Sequence, residues 1–389
     1  MYFTDEPEHI SLLRDTLRRF VAQEMPRQKR IELDKQERFC VRTFKKLAEL
    51  GVCGLTIPEE YGGLGVDIVA AVTVIDELCQ AGTSLAGPYI QTAFYGGANI
   101  VENGSENQKA DLLPKLARGE LWFAYGLSEP DVGGDLSAVT TSAKLSSDKS
   151  LITVNGVKRW CTGADWADYI YCLVVSDSEG PKYKNLSLVL VPKDTPGMTL
   201  QPIDHANLRY TKTCDVYFDD VQVPSQNIVG EAAGWNSGWS MLIGRALDVE
   251  RIEITATTYG IARAVVNEAW QYAQEREQFG KKICAHQAVR HTLSDAATKL
   301  EACKHMLYHA AHLANHQREC SVESSMAKLF VAETALEIAI KCQQVMGAYG
   351  LSGEYDMERN VRDLLGMPIV GGSSNMQRNN IAMRLGLPV

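Results

Sequence analysis

The chain has 389 residues, 45% of them hydrophobic and 22% charged, with a formal net charge of −9; this is enough apolar material for two or three closely packed sub-domains and excludes a disordered or fibrous chain. Acids and bases are interspersed, so there is no basic stripe for a nucleic acid to follow. The ten cysteines are scattered without a CxxC pair and no run of about 18 apolar residues occurs, which argues against a zinc site, a disulfide framework and a membrane span, and leads to the expectation of a soluble cytoplasmic protein.

Residues 1–120 read as a helical domain. Apolar residues recur at helical spacing in "ISLLRDTLRRFVAQ", "TFKKLAELGV", "IVAAVTVIDELCQA" and "NQKADLLPKLARG", broken at Pro58, "YGGLG" and Gly104. Residues 121–232 then change to alternating, β-branched runs: "LITVNGVKRWCT", "YIYCLVVS", "LSLVLVP" and "CDVYFDDVQVP", separated by Asn-Gly and Pro-Gly turn signals. This is a middle β domain. From 233 to 389 the helical period returns in segments long enough for a four-helix bundle. The predicted class is mostly α with a central β domain.

Placing residues 239–261 on one helix puts Trp239, Ile243, Ala246, Ile254, Thr257 and Ile261 in a narrow stripe, with Glu250 at its middle. Burial would raise the pKa of such a carboxyl toward the range of a base working near neutral pH. The same position also suits a glutamate paired with Arg251 or a residue of a neighbouring helix. Asp248 falls on the far side, where solvent is expected. His305, His309, His312 and His316 line another helical face, but no carboxylate or cysteine completes a metal-ligand set, so no metal is predicted. Neither "YGGLG" nor "GAYGLSG" sits in a βαβ context, which excludes a Rossmann fingerprint.

"YGLSEPDVGGD" (125–135), "NGVKRWCTGADWADYIY" (155–171), "FDDVQVP" (218–224), "REQFGKKICAHQ" (276–287) and "QVMGAYGLSGEY" (344–355) follow one another in that order. In this order and at these separations they resemble the acyl-CoA dehydrogenase family over essentially the whole chain. The resemblance implies FAD bound between a β-barrel-like middle domain and the C-terminal bundle of a homotetramer, with an acyl-CoA or acyl-carrier thioester as substrate and an electron-transfer flavoprotein as acceptor. It implies a place in fatty acid metabolism. Carried over residue by residue, Tyr125, Leu127 and Ser128 match the strand along the flavin, and Trp160 with Thr162 match the pair at its ring. Arg276, Phe279, His286 and Gln287 match a segment that reaches a partner's FAD. Gln344, Gly347 and Ala348 match a second such segment. Gly134 stands where serine is common, near the pyrophosphate and the acyl-CoA. Asp248, Arg251, Gly134 and Gly372 are the expected substrate contacts.

The stretch "IVGGSSNMQR" (369–378) matches the loop that carries the catalytic glutamate in many family members, and that position is Gly371 here. A minority of the family carries the glutamate on a bundle helix directly before an arginine, as "DVER" (248–251) does. The resemblance therefore implies Glu250 as the base that takes the α-proton in an FAD-dependent α,β-desaturation. Gly371 is expected to keep the N–H that polarises the thioester and, lacking a side chain, to leave room for Glu250. Ser373 and Asn375 would lie near the cofactor. The same site run backwards would reduce an enoyl thioester. A non-redox scaffold and an oxidase are the remaining alternatives.

Overall fold

Residues 6–388 are described by a computed structural model. The N-terminal helices are α1 (Glu8–Glu24), α2 (Arg27–Gln36), α3 (Val41–Ala48), α4 (Ile68–Leu78), α5 (Thr83–Ile90), α6 (Asn99–Asn103) and α7 (Glu106–Ala117). Between α5 and α6 the chain winds as a π-helix from Gln91 to Ala98, an uncommon form associated with functional sites. Ser105 and Gln108 close a capping box at the start of α7, which satisfies two otherwise orphaned N–H groups.

A seven-stranded sheet comes next: β1 (Phe123–Gly126), β2 (Ser142–Leu145), β3 (Leu151–Thr162), β4 (Tyr169–Val175), β5 (Leu186–Pro192), β6 (Met198–Pro202) and β7 (Thr213–Pro224). Its order is β1-β4-β2-β3-β7-β6, with β5 also paired to β4. In the β3–β7 ladder Lys158 pairs with Val216 and Cys161 with Cys214, so Arg159 and Trp160 together face Asp215 alone. Such a bulge bends the strand and re-aims its side chains.

The remaining elements are α8 (Glu231–Gly234), α9 (Gly238–Leu242), α10 (Arg245–Glu275), the hairpin strands β8 (Glu277–Gln278) and β9 (Lys281–Lys282), α11 (Gln287–Asn315), α12 (Ser321–Met346), α13 (Met357–Gly366) and α14 (Ser374–Arg384). Helices α10, α11 and α12 pack on one another, and α13 and α14 complete the bundle beside α12. One correction concerns the predicted stripe. The helix does not run on from Trp239, because the chain breaks at Ile243 and Gly244 and α10 begins only at Arg245.

The largest core joins the N-terminal helices to the bundle; a second fills the sheet, and a third lies between the sheet, α6 and α7. Helix α4 is apolar on nearly every face and sits between α1 and α10. Its two acids are fully paired. Arg14 Nη1 donates to Asp76 at 2.7 Å and to Glu77 at 2.8 Å, Arg18 Nε to Glu77 at 3.2 Å, and Arg263 Nε to Asp76 at 2.9 Å. Among the described residues no helix is long and apolar enough to cross a membrane.

Candidate active site

Glu250 lies in the second turn of α10 and opens on a small pocket that it shares with Phe94, Tyr95, Ala98, Asn99, Tyr125, Ala246 and Val249. No hydrogen bond reaches its carboxylate from the described residues. Burial raises its pKa to about 7, against the opposing pull of Arg251. Arg251, the partner the sequence suggests, donates from Nη1 to Asp248 at 2.7 Å rather than to Glu250.

Asp248 itself corrects the expectation of a solvated side chain. It is buried and also accepts from Ser321 Oγ at 2.7 Å and Ser324 Oγ at 3.4 Å on α12. The far face of α10 is thus a second packed face. Asp248 and Arg251 pin α10 to α12, and their hydrogen bonds are spent inside the bundle rather than on the cavity.

The walls of the cavity are aromatic. Tyr125, leaving β1, stacks on Tyr95 with ring centroids 3.9 Å apart, and its hydroxyl accepts from Asn99 Nδ2 at 2.6 Å. The π-helix makes this possible, since it turns Phe94, Tyr95 and Ala98 towards α10. The same segment reaches the sheet through Gln91 Nε2, which donates to the Thr162 carbonyl at 3.1 Å.

Beyond Tyr125 the chain is held down by a buried ion pair. Lys158 Nζ donates to Glu129 at 2.9 Å and to the Leu127 carbonyl at 3.2 Å, and Arg159 N donates to the Ser128 carbonyl at 2.9 Å. Burial alone would raise the pKa of Glu129, but Lys158 and the hydrogen bonds from Thr141 hold it down at about 2. Neither member of this pair carries a signal in the sequence beyond lying inside the quoted motifs. Leu127 and Ser128 are thereby fixed next to the bulge that carries Trp160.

Trp160 has φ +64 and is 54% exposed. A bulky side chain in the left-handed region is strained, and an exposed indole gives up burial, so the bulge presents a large flat apolar surface outward. The Arg159 guanidinium lies over its ring at 4.8 Å. Thr162 Oγ1 stands 3.0 Å from Thr213 Oγ1.

At the start of α14, Gly371 and Gly372 have φ +62 and +79. The Gly371 N–H has no acceptor among the described residues. Ser373 caps the helix by accepting from Met376 N, and Asn375 is exposed. Gly134 faces this segment, with the sulfur of Met376 3.7 Å from where its Cβ would be. The structure corrects one expectation here. The space over Gly371 is taken by Ile254, whose Cδ1 would be 1.9 Å from a Cβ, and is not left for Glu250.

Arg276, Phe279, His286 and Gln287 cluster around the β8–β9 hairpin, and Gln344, Gly347 and Ala348 are exposed at the end of α12. The two segments meet where the Arg276 guanidinium lies over Tyr349 at 5.7 Å. Phe279 is 92% exposed at φ +54, and Gly347 takes φ +59, ψ −138 with open space where a Cβ would be. His305, His309 and His316 are exposed, and no group of metal-binding side chains is found among the described residues. Exposed aromatics on strained backbone, side-chain-free glycines and one cation fit a large ligand with flat rings and phosphates such as FAD.

One buried residue beside Glu250 on α10 is not singled out by the sequence. Glu253, one turn after Glu250, is 1% exposed, and neither of its carboxyl oxygens has a partner.

Family models for the acyl-CoA dehydrogenase N-terminal, middle and C-terminal domains match residues 7–120, 124–221 and 236–386. The chain is 34% identical to a probable acyl-CoA dehydrogenase of Bacillus subtilis, covering 91% of this chain and 92% of that one. It is 31% identical to the CarC subunit of a caffeyl-CoA reductase-Etf complex of Acetobacterium woodii, covering 97% of each. The solved butyryl-CoA dehydrogenase of Megasphaera elsdenii superposes with a TM-score of 0.93 at 27% identity, over 99% of this chain and 100% of that one.

Proposed function

From the premise that the chain belongs to the acyl-CoA dehydrogenase family, whose fold, FAD dependence and acyl-CoA oxidoreductase chemistry it shares, we propose that it catalyses α,β-desaturation of an acyl-CoA thioester with Glu250 as base. The observation that carries this reading is an unpaired carboxyl with a pKa of about 7 opening on an aromatic-lined cavity. A base with a pKa near the working pH is ionised in a sizeable fraction of molecules and is strong enough to accept the α-proton.

The other residues act around that transfer. The Gly371 N–H, which has no acceptor among the described residues, would donate to the thioester carbonyl oxygen as negative charge develops there, the kind of contact whose loss costs about 2.7 to 4 kcal/mol. Tyr95 and Tyr125 exclude water from the cavity, which strengthens that interaction. Leu127, Ser128, Trp160, Thr162, Gly134, Ser373 and Asn375 would hold FAD from one protomer. Arg276, Phe279, His286, Gln287, Gln344, Gly347 and Ala348 would hold it from a partner in a homotetramer. Bound FAD supplies the hydride acceptor. Gly372 is assigned to the acyl-CoA, whereas Asp248 and Arg251 are reassigned from substrate contacts to positioning of α10, because they hydrogen-bond each other and α12.

The reverse reaction has one specific observation in its favour. At a pKa of about 7 Glu250 is half protonated near neutrality and can equally deliver a proton to the α-carbon, and a relative is named as a reductase subunit in an Etf complex. We assign an electron-transfer flavoprotein as redox partner in either direction. Anaerobic titration with acyl-CoAs of increasing length tests the reading. Bleaching of the flavin by these thioesters, absent in Glu250→Gln, supports it, and no bleaching by any of them overturns it.

A further inference from the structure

Apart from the proposed base Glu250, the buried carboxylates of the described residues generally have partners. Asp76 and Glu77 face arginines, Glu129 faces Lys158, and Asp363 accepts from the Leu208 N–H at 2.7 Å. Glu253 is the one described carboxyl group with both oxygens buried and unpartnered. Leaving such a group unmatched is costly, so its presence calls for an explanation that packing does not supply.

Its position offers one. Ala246, Val249 and Glu250 line the cavity, and Glu253 comes after them at the seventh, fourth and third residue on the same helical face. It therefore follows the base by one turn, about 4.5 Å along the α10 axis. Tyr95 stands beside it: burial raises the pKa of that phenol, then the charge of Glu253, and only then that of Glu250. Burial and the neighbouring Glu250 push Glu253 well above the ordinary carboxylate range. Its neutral form is favoured relative to an ordinary glutamate, and the carboxyl can accept from a donor or ionise against a cation.

We propose that Glu253 is a specificity-determining residue at the inner end of the acyl cavity, selecting short thioesters whose chain ends in an O–H or N–H donor over plain hydrocarbon chains. The inference rests on the acyl-CoA reading of the same site. A spacing of about 4.5 Å corresponds to roughly three or four carbon–carbon bonds beyond the α-carbon, the reach of a short acyl chain. An alkyl terminus would expel water from Glu253 and give nothing back. A donor at that point satisfies it, and sites built to hydrogen-bond a substrate group reject analogues lacking it.

The test compares pentanoyl-, 5-hydroxypentanoyl- and 5-aminopentanoyl-CoA by anaerobic flavin reduction, with binding read separately from the perturbation of flavin absorption. The wild type should prefer one polar thioester over pentanoyl-CoA by about ten- to a hundredfold, and which one identifies hydroxyl or ammonium as the donor. Glu253→Leu should reverse the preference and raise Tm, since it removes an unmatched buried group. Glu253→Gln, the same shape without a charge, should lose selection for the ammonium and keep it for the hydroxyl. Equal handling of all three thioesters by the wild type overturns the proposal, as does a Glu253→Leu variant of lowered Tm and unchanged preference. If thioesters bind with the predicted order but none reduces the flavin, the reaction assigned above fails and the selectivity stands; if none binds, both fail.

Discussion

A methyl group on Gly371 would lie 1.9 Å from Cδ1 of Ile254. The loop position that could carry a glutamate is closed by a side chain from α10, and that side chain sits one turn after Glu250. Gly371→Ala should therefore destabilise the protein by roughly 2 to 3 kcal/mol, from the clash and from the left-handed backbone at φ +62. Denaturant unfolding measures it, and the double variant with Ile254→Ala should recover most of the loss. For the same reason Gly371→Glu should fail to restore activity to Glu250→Gln unless Ile254 is also cut back.

Glu250→Gln should slow flavin reduction by about 10²- to 10⁴-fold with flavin content unchanged. In the wild type the rate of desaturation should rise with pH through an inflection near 7, since the base must be ionised. The sign of the stability effect is the opposite. The folded pKa lies above the ordinary glutamate value, so the carboxyl is tolerated fully below about 4.5 and stability is lost as pH rises through 7. Glu250→Gln should accordingly unfold at a higher temperature than the wild type at pH 8, with the gap closing by pH 4.5.

Phe279 should matter to assembly and little to the folded protomer. It is almost wholly exposed at the tip of the β8–β9 hairpin, where its ring meets the edge of His286 at 6.0 Å, so Phe279→Asp gives up little buried surface. Light scattering should show smaller particles, and the ratio of flavin to protein absorbance should fall, while far-UV circular dichroism stays the same. A tetramer with full flavin content would remove this residue from the cofactor contacts.

Lys158→Met should cost about 3 to 5 kcal/mol, because it leaves Glu129 buried and unpaired. Adding Glu129→Gln should return part of that. The pair also sets an acid limit: the Glu129 pKa is depressed, so its contribution is present above the ordinary value of 4.5 and is lost as pH falls towards 2. Acid unfolding followed by tryptophan fluorescence should begin at higher pH in the Lys158→Met variant.

The succession of helices, strands and helices is legible because each region keeps one hydrophobic period, and Glu250 stands out because a carboxylate interrupts an apolar stripe. Glu253 escapes notice because, at about 100° per residue, it falls roughly 60° from Glu250, just outside the narrow stripe. A wider face through Ala246, Val249, Glu250 and Glu253 makes two acids visible. Asp248 is hidden for another reason. A helical wheel reports which residues share a face, but the serines of α12 that bury this one lie more than 70 residues away. The turning out of Trp160 is equally hidden, since a bulge exists only relative to the strand across from it.

The π-helix between Gln91 and Ala98 makes the shape of the cavity depend on chain length as much as on side chains. Deleting one residue from it would let the segment revert to an α-helix and would rotate the residues beyond the deletion by about 100° around the helix axis. Gln91 could then keep its hold on Thr162, or Tyr95 its stack on Tyr125, but one of the two would have to let go. Insertions and deletions at this point offer evolution a coarse adjustment of substrate choice, one that leaves Glu250 and the β domain untouched.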